Sequence, residues 1–131
     1  MLTELTIKDF ISKVISNDPV PGGGSVSALN GALAAALSAM VANLTVGRKK
    51  YAEVNDLMQE LSTRFEKLSQ KLIEDVDRDS DAYNRVFAAF KLPKETDEEK
   101  QFRSEAIQKE TKYAVQVPME VARAVYEVLP Q

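Results

Sequence analysis

The segment from Pro19 to Gly47 contains no charged side chain, and this constrains the fold more than any other feature of the sequence. It opens with two prolines and three glycines and continues as a run rich in Ala and Leu. Ser25 is a favourable N-terminal cap, and Gly47 is a favourable C-terminal stop. The pattern predicts one long helix from Val26 to Val46, and such an apolar helix has to be buried against other elements.

One face of this predicted helix carries only small side chains: Ser27, Gly31, Ala35 and Ala39. Small residues at intervals of four allow two helix backbones to approach closely. A transmembrane helix is an alternative, since about 20 apolar residues can span a bilayer. Polar residues such as Asn30 and Asn43 interrupt the run, and alanine adds little hydrophobicity. We therefore expect the central helix of a soluble bundle, near a dimer interface, and no membrane association.

Helical periodicity and capping signals predict three further helices. Thr6 caps a short one from Ile7 to Ile15, and a long one runs from about Ala52 to Phe90. The capping box Thr96–Glu99 starts the last helix, in which Pro118 should produce a kink or a break. No segment alternates with period two for long enough to indicate a strand. The prediction is an all-α multihelical bundle of long antiparallel helices, four or five in this chain.

Composition excludes several classes of function. The 131 residues suit one helical domain over residues 1–131, and 17 basic against 20 acidic side chains provide no basic surface for nucleic acid. The absence of Cys and His excludes disulfides, thiolate chemistry, Ser-His-Asp triads and His- or Cys-ligated metals. Acid–base chemistry has to come from Asp, Glu, Lys or Tyr. The first residues lack the pattern of a signal peptide, so we expect a cytoplasmic protein.

The glycines in front of the long apolar helix suggest a binding site. The first N–H groups of a helix lack partners, and Gly22, Gly23 and Gly24 would expose more backbone to a ligand. The segment is not a P-loop, because no Lys-Ser or Lys-Thr pair follows it, and no strand precedes it as a Rossmann motif requires. An anion or a polarised carbonyl group would suit this site. A flexible linker between two helices is the alternative.

Arg48, Lys49 and Lys50 follow the same helix at its other end. Cations there interact favourably with the negative end of the helix dipole. They could also bind carboxylates on the tail of a substrate.

Four aspartates alternate along the third predicted helix: Asp75, Asp77, Asp79 and Asp81. A calcium loop starting at Asp75 would need Gly at the position of Ser80 and Glu at the position of Val86, so an EF-hand is excluded. The spacing also predicts i,i+4 ion pairs of Glu74 with Arg78 and of Asp81 with Arg85.

Asp79 differs from the other aspartates because no cation lies close to it along the helix. Its neighbours at i−4 and i+4 are Asp75 and Tyr83. It shares an otherwise apolar stripe with three residues: Phe65, Leu72 and Val86. An acid in such surroundings should have a raised pKa and could exchange protons near neutral pH. The alternative is that Asp79 caps a neighbouring helix or binds a buried Arg.

Three segments together resemble the cyclodeaminase/cyclohydrolase family. They are "PGGGSVSALNGALAAALSAMVANLTVGRKKY", "DVDRDSDAY" and "LPKETDEEKQFRSEAIQ" followed by "VPMEVA". The family includes the C-terminal domain of formimidoyltransferase-cyclodeaminase and bacterial methenyltetrahydrofolate cyclohydrolases. Its members typically continue for about two more helices, so the resemblance implies a domain truncated at its C-terminus.

The resemblance implies a multihelical homodimer that acts on tetrahydrofolate derivatives, with or without a polyglutamate tail. It implies one of two reactions, of which we predict the cyclodeaminase reaction and keep the cyclohydrolase reaction as the alternative. A cyclodeaminase, a lyase, converts 5-formimidoyltetrahydrofolate to 5,10-methenyltetrahydrofolate and ammonia, whereas a cyclohydrolase hydrates the methenyl bridge to 10-formyltetrahydrofolate. The family's catalytic Asp matches Asp79, and no cofactor or metal is expected beyond the folate substrate.

Substrate-binding roles follow from the same comparison. The glycine segment, with Ser25 and Ser27, would hold the pterin or the reacting centre, and Arg48 and Lys49 would attract the glutamate tail. A non-catalytic helical oligomerisation module is the alternative from another class of protein.

Overall fold

The structure, a computed structural model, describes residues 1–129 and is helical almost throughout. Four α-helices follow in chain order: α1 (Ile7–Ile15), α2 (Gly23–Thr45), α3 (Asn55–Phe90) and α4 (Asp97–Tyr126). Short 3-10 turns at Leu2–Glu4 and Lys49–Val54 precede α1 and α3. No strand occurs within the described residues. The all-α prediction, with four or five helices, is confirmed.

Three of the predicted helix boundaries are confirmed by their capping contacts. The Thr6 hydroxyl accepts a hydrogen bond from the Asp9 N–H at 3.1 Å and starts α1. Gly47 follows α2 with a φ of +76°, a left-handed conformation that favours glycine. Thr96 and Glu99 form the reciprocal capping box of α4.

The predicted start of α2 is wrong. Gly22 is the N-terminal cap, so Gly23 and Gly24 lie inside the first helical turn and do not form a loop. Ser25 is fully buried in that turn, where its hydroxyl bonds to α3 and does not cap its own helix. The reason is tertiary packing, which offers the Ser25 hydroxyl an acceptor on α3 that sequence-local reasoning cannot supply.

The prediction for Pro118 is also wrong as regards a break, because α4 continues through it from Asp97 to Tyr126. A proline removes one helical hydrogen bond. Pro118 itself is exposed, while Val117 and Val121 on either side of it are buried in the core. Their packing holds the helix on both sides of the proline.

The core forms where α2 packs along α3 and α4 closes one side. Buried alanines of α2 face larger side chains of α3, chiefly Leu68, Leu72 and Val76. Gly31 brings α4 close, because a Cβ atom there would lie 2.6 Å from Val125 Cγ2. The small-residue face of α2 therefore serves close helix packing within the chain, as the spacing predicted.

The opposite face of α2 is uncovered. Five large apolar side chains on it are each about half exposed: Leu33, Leu37, Met40, Val41 and Leu44. Among the described residues, α2 is also the one helix long and apolar enough to cross a bilayer, with a mean hydropathy of 1.6 over its most apolar window. The core helix of a soluble protein can meet the same criterion, and the buried residues of α2 pack against α3 and α4, with 39% of that window buried.

Candidate functional site

Asp79 lies where α3 passes the first turn of α2. Its carboxylate packs against the backbone of Gly24, so that a Cβ atom at position 24 would overlap with both carboxylate oxygens. The N–H groups of this first turn have no acceptor within α2, and Gly22 has no side chain that could cap them. The aspartate and the glycines that the sequence singled out separately are therefore in direct contact.

Ser25 lies beneath this contact. Its hydroxyl donates to the Val76 carbonyl at 2.7 Å and shares a hydrogen bond with the Ser80 hydroxyl at 2.8 Å. The same oxygen is 3.4 Å from Asp79 Oδ2, a long contact. Ser25 and Ser80 are both buried, so water does not compete for these hydroxyl groups.

The surroundings of Asp79 disfavour its charge. Burial raises the pKa of Asp79, and the like charge of Asp75 adds a smaller effect in the same direction. Hydrogen bonds from the backbone and the side chain of Ser25 oppose this effect without cancelling it. None of the ion pairs within residues 1–129 includes Asp79. The raised pKa agrees with the prediction from the sequence.

Asp75, one turn before Asp79, is a buried structural acid. Its two oxygens bind Lys71 Nζ at 3.0 Å and Arg78 Nη1 at 2.9 Å. Arg78 also binds Glu120 and so joins α3 to α4. The predicted pair of Glu74 with Arg78 is therefore wrong, because the guanidinium turns toward the buried carboxylate.

The remaining two aspartates have other roles or none. Asp77 accepts hydrogen bonds from the Leu2 N–H at 2.5 Å and the Thr3 hydroxyl at 2.6 Å, and it thereby holds the N-terminal turn against α3. Asp81 is exposed, and its predicted partner Arg85 binds Glu110 of α4 instead. All four aspartates lie within one continuous helix, which agrees with the exclusion of a calcium loop.

A groove of about 620 Å³ between α2 and α4 borders the Asp79 site. On the α2 side it is lined by Gly23, Gly24, Ser27 and Asn30, and on the α4 side by Pro118 and Val121 among others. The lining has no charged side chain among the described residues. Gly24 both lines this groove and touches the carboxylate, whereas Asp79 itself does not line it, so Gly24 links the groove to the acid.

Arg48 and Lys49 lie at the other end of α2. The helical rise of 1.5 Å per residue separates Gly24 from Thr45 by about 30 Å, and Arg48 follows that terminus. Arg48 Nε donates to the Leu44 carbonyl at 3.2 Å, as a cation at a helix C-terminus is expected to do. Within one chain, these two cations are not brought together with Asp79 and the glycines.

A wider surface depression of about 860 Å³ lies apart from Asp79, which is not among its lining residues. Its charged lining is balanced between acids and bases: Asp56, Glu60, Glu127, Arg64, Lys67 and Lys71. Such a surface offers no net attraction to an anionic ligand, so size alone does not make it the functional site.

Sequence reasoning missed Ser80 and the true position of Ser25. Ser80 follows Val76 by four residues and therefore lies on the buried face of α3, next to the Asp79 stripe. A hydroxyl at a core position needs a hydrogen-bond partner, and this could have indicated that Ser80 meets a polar group of another helix.

The family model for formiminotransferase-cyclodeaminase matches residues 6–131 of the chain. The methenyltetrahydrofolate cyclohydrolase of Methylorubrum extorquens is 41% identical over 124 residues, which cover 95% of this chain and 60% of that protein. The formimidoyltransferase-cyclodeaminase of Rattus norvegicus is 36% identical over 129 residues, which cover 98% of this chain and 24% of that protein.

A solved structure has the same fold. The formiminotetrahydrofolate cyclodeaminase from Thermotoga maritima superposes with a TM-score of 0.78 at 33% identity, and the match covers 95% of this chain and 58% of that one. The chain thus spans less than two thirds of the length of each of these three proteins.

Proposed function

The chain belongs to the formiminotransferase-cyclodeaminase family, and on this premise we propose that it is an enzyme that interconverts one-carbon derivatives of tetrahydrofolate. The observation that carries the proposal is the contact of Asp79 with Gly24 beside an uncharged groove. A carboxyl group with a raised pKa and no cation partner among the described residues is suited to general acid–base catalysis.

The first candidate reaction is that of a formimidoyltetrahydrofolate cyclodeaminase. N10 of the folate attacks the carbon of the protonated formimidoyl group, and Asp79 as carboxylate accepts the N10 proton. Asp79 then donates this proton to the amine nitrogen, the carbon–nitrogen bond breaks, and ammonia leaves the methenyl bridge. One carboxyl group thus performs both transfers, and the protein's charge is unchanged over the cycle.

The second candidate is a methenyltetrahydrofolate cyclohydrolase, and the 41% identity to the Methylorubrum extorquens protein favours it. Here Asp79 accepts a proton from the water that attacks the methenyl carbon. It returns this proton to N5 as the bond from N5 to that carbon breaks, the remaining hydroxyl proton passes to solvent, and 10-formyltetrahydrofolate results. Both reactions need the same side chain next to the same bridging carbon.

The groove between α2 and α4 is the proposed binding site for the folate ring system. Gly23 and Gly24 allow a flat ring to approach the backbone closely, and the first N–H groups of α2 can donate to a polarised atom of the substrate. Ser27 adds a hydroxyl group on the same wall of the groove. The proposal includes no metal and no cofactor other than the folate.

We also propose that the protein is a homodimer in which two copies of α2 pack through their uncovered apolar faces. The face has no charge, so a second copy meets no electrostatic repulsion there. If the two helices run antiparallel, Arg48 and Lys49 of the partner subunit approach the glycine end of α2. In that position they can attract the carboxylates of the glutamate tail.

Sedimentation velocity tests the dimer. Leu37→Glu should convert it to a monomer, because a charge would be buried in the apolar interface. Val115→Glu, on an exposed apolar position of α4, should leave it a dimer. A wild-type protein that is monomeric at micromolar concentration would contradict the proposal.

An absorbance assay with each folate separately tests the function. A cyclodeaminase produces methenyltetrahydrofolate from 5-formimidoyltetrahydrofolate, whereas a cyclohydrolase consumes methenyltetrahydrofolate. If the protein neither turns over nor binds either compound in calorimetry, the alternative of a non-catalytic oligomerisation module is correct instead.

A further inference from the structure

Three buried polar groups meet beneath the contact of Asp79 with Gly24: the hydroxyls of Ser25 and Ser80 and the carbonyl of Val76. The Ser25 oxygen lies 2.7 Å from the carbonyl, 2.8 Å from the Ser80 oxygen and 3.4 Å from Asp79 Oδ2. Ser25 is 0% exposed and Ser80 5% exposed. The two hydroxyl protons therefore have to be distributed among these protein groups.

Either serine hydroxyl can be the donor in the bond between them. Each serine hydroxyl has one proton to donate. If Ser80 donates to Ser25, then Ser25 can donate either to the Val76 carbonyl or to the Asp79 carboxylate. The Val76 carbonyl lies inside α3 and already accepts the N–H four residues later. It therefore loses nothing essential when the Ser25 proton turns away from it.

We propose that Ser25 and Ser80 are positioning residues whose buried hydroxyls form a relay to Asp79: Ser25 donates to the Asp79 carboxylate when it is ionised and to the Val76 carbonyl when Asp79 is protonated. The change requires only rotation of the hydroxyl proton about the Cβ–Oγ bond. The inference rests on the proposed function for the catalytic role of Asp79, but the relay itself is a property of the free protein.

The relay lowers the pKa of Asp79 relative to a site without these hydroxyl groups. A hydrogen bond from a hydroxyl stabilises the ionised carboxylate and lowers its pKa, so the relay limits the rise that burial causes in the pKa of Asp79. Ser80 contributes indirectly, because its donation polarises the Ser25 hydroxyl. A group that alternates between acceptor and donor of a proton during a reaction benefits from such an adjustable partner.

Several other charged groups near this corner have partners of their own. Segment 19–47, which contains α2, has no charged residue, and Asp18 before it binds Lys13. On α3, Asp75 binds Lys71 and Arg78, Asp77 accepts hydrogen bonds from Leu2 and Thr3, and Asp81 is exposed. On α4, Glu120 binds Arg78. Tyr83 lies one turn beyond Asp79 and is partly exposed.

The test is a carboxyl ¹³C NMR titration of the substrate-free protein, with the Asp79 signal assigned by its loss in Asp79→Asn. Ser25→Ala should shift the Asp79 titration to higher pH, and Ser80→Ala should shift it in the same direction by less. Ser62→Ala is the matched control, since it removes another buried hydroxyl of α3, bonded to Asn43 and Glu66. That variant should leave the Asp79 titration unchanged.

If the pKa of Asp79 measured in Ser25→Ala is unchanged or lower than in the wild type, the relay is refuted. If Ser25→Ala does not fold, the Ser80→Ala titration decides in its place. In active protein, the pH profile of kcat/KM should shift with the NMR titration in each serine variant. Full activity in Asp79→Asn together with the expected NMR shifts would refute the proposed function and leave the relay standing. If Asp79→Asn loses activity but neither serine variant shifts the Asp79 titration, the relay is refuted and the proposed function stands.

Discussion

The Asp79 carboxylate on α3 occupies the space that a side chain at position 24 of α2 would need, so this placement of the acid requires a glycine at position 24. Two helices thereby place a carboxyl group that has no ion-pair partner in residues 1–129 at a helix N-terminus, beside a groove whose described lining is uncharged. Capping of α2 and acid–base chemistry are both compatible with this contact. Burial raises the pKa of Asp79 although the hydrogen bonds from Ser25 lower it, and a raised pKa is what acid–base chemistry near neutral pH requires.

Gly24→Ala should abolish activity while the protein stays folded. The new methyl group overlaps with the carboxylate, and Asp79 can rotate away from it, which removes the acid from its place against the backbone of residue 24. Alanine itself favours the helix by about 1 kcal/mol over glycine, which offsets part of the cost of this rotation. Circular dichroism and the folate assay measure the two effects.

Gly23→Ala is the control for this variant, because a Cβ atom at position 23 has nothing within 4 Å. It should keep its fold and its stability should rise slightly or stay constant. Because Gly23 also lines the proposed binding groove, this variant is a control for fold and stability and not for activity. A Gly24→Ala protein with full activity would contradict the prediction.

Asp79→Asn should stabilise the fold increasingly as the pH rises. The folded pKa of Asp79 is above its unfolded value, so the wild-type protein loses stability as the pH rises from about 4, the unfolded pKa, through the folded pKa. Asparagine does not titrate and can still cap α2. Urea unfolding at several pH values measures the difference, which should vanish at low pH and reach a plateau above the folded pKa. A variant that is much less stable at neutral pH would indicate that the charge is required structurally.

Gly31→Ala should destabilise the bundle by about 1–3 kcal/mol, the usual cost of overpacking a core. Its methyl group would lie 2.6 Å from Val125 Cγ2 and 3.1 Å from Leu72 Cδ1, which forces α4 away from α2. Adding Val125→Ala should recover part of this loss, because it removes the nearest atom. Purely additive effects in the double variant would contradict the packing of these two helices.

The sequence was sufficient for the elements that depend on local chemistry. Thr6, Gly47 and the Thr96–Glu99 box set their helix boundaries through contacts within four residues, and the small residues of α2 predicted its close packing. The same reasoning singled out Asp79, because a carboxylate on an apolar stripe violates the helical pattern. The assignment of Asp79 to catalysis remains a prediction.

The errors have one physical origin, which is competition from another helix. Ser25 does not cap α2 because Val76 and Ser80 of α3 bind its hydroxyl. Arg78 does not pair with Glu74 because Asp75 and Glu120 are better placed. Such contacts between distant positions depend on how the helices pack, and spacing along one helix does not contain that information.

The steady-state rate of Asp79→Asn on its folate substrate tests the central claim most directly, with Asp81→Asn, an exposed acid of the same helix, measured beside it. The account predicts a loss of about 10²–10⁴-fold in kcat for Asp79→Asn, typical for removal of a general acid–base group, and near wild-type turnover for Asp81→Asn. Equal, undiminished rates for the two variants would contradict it.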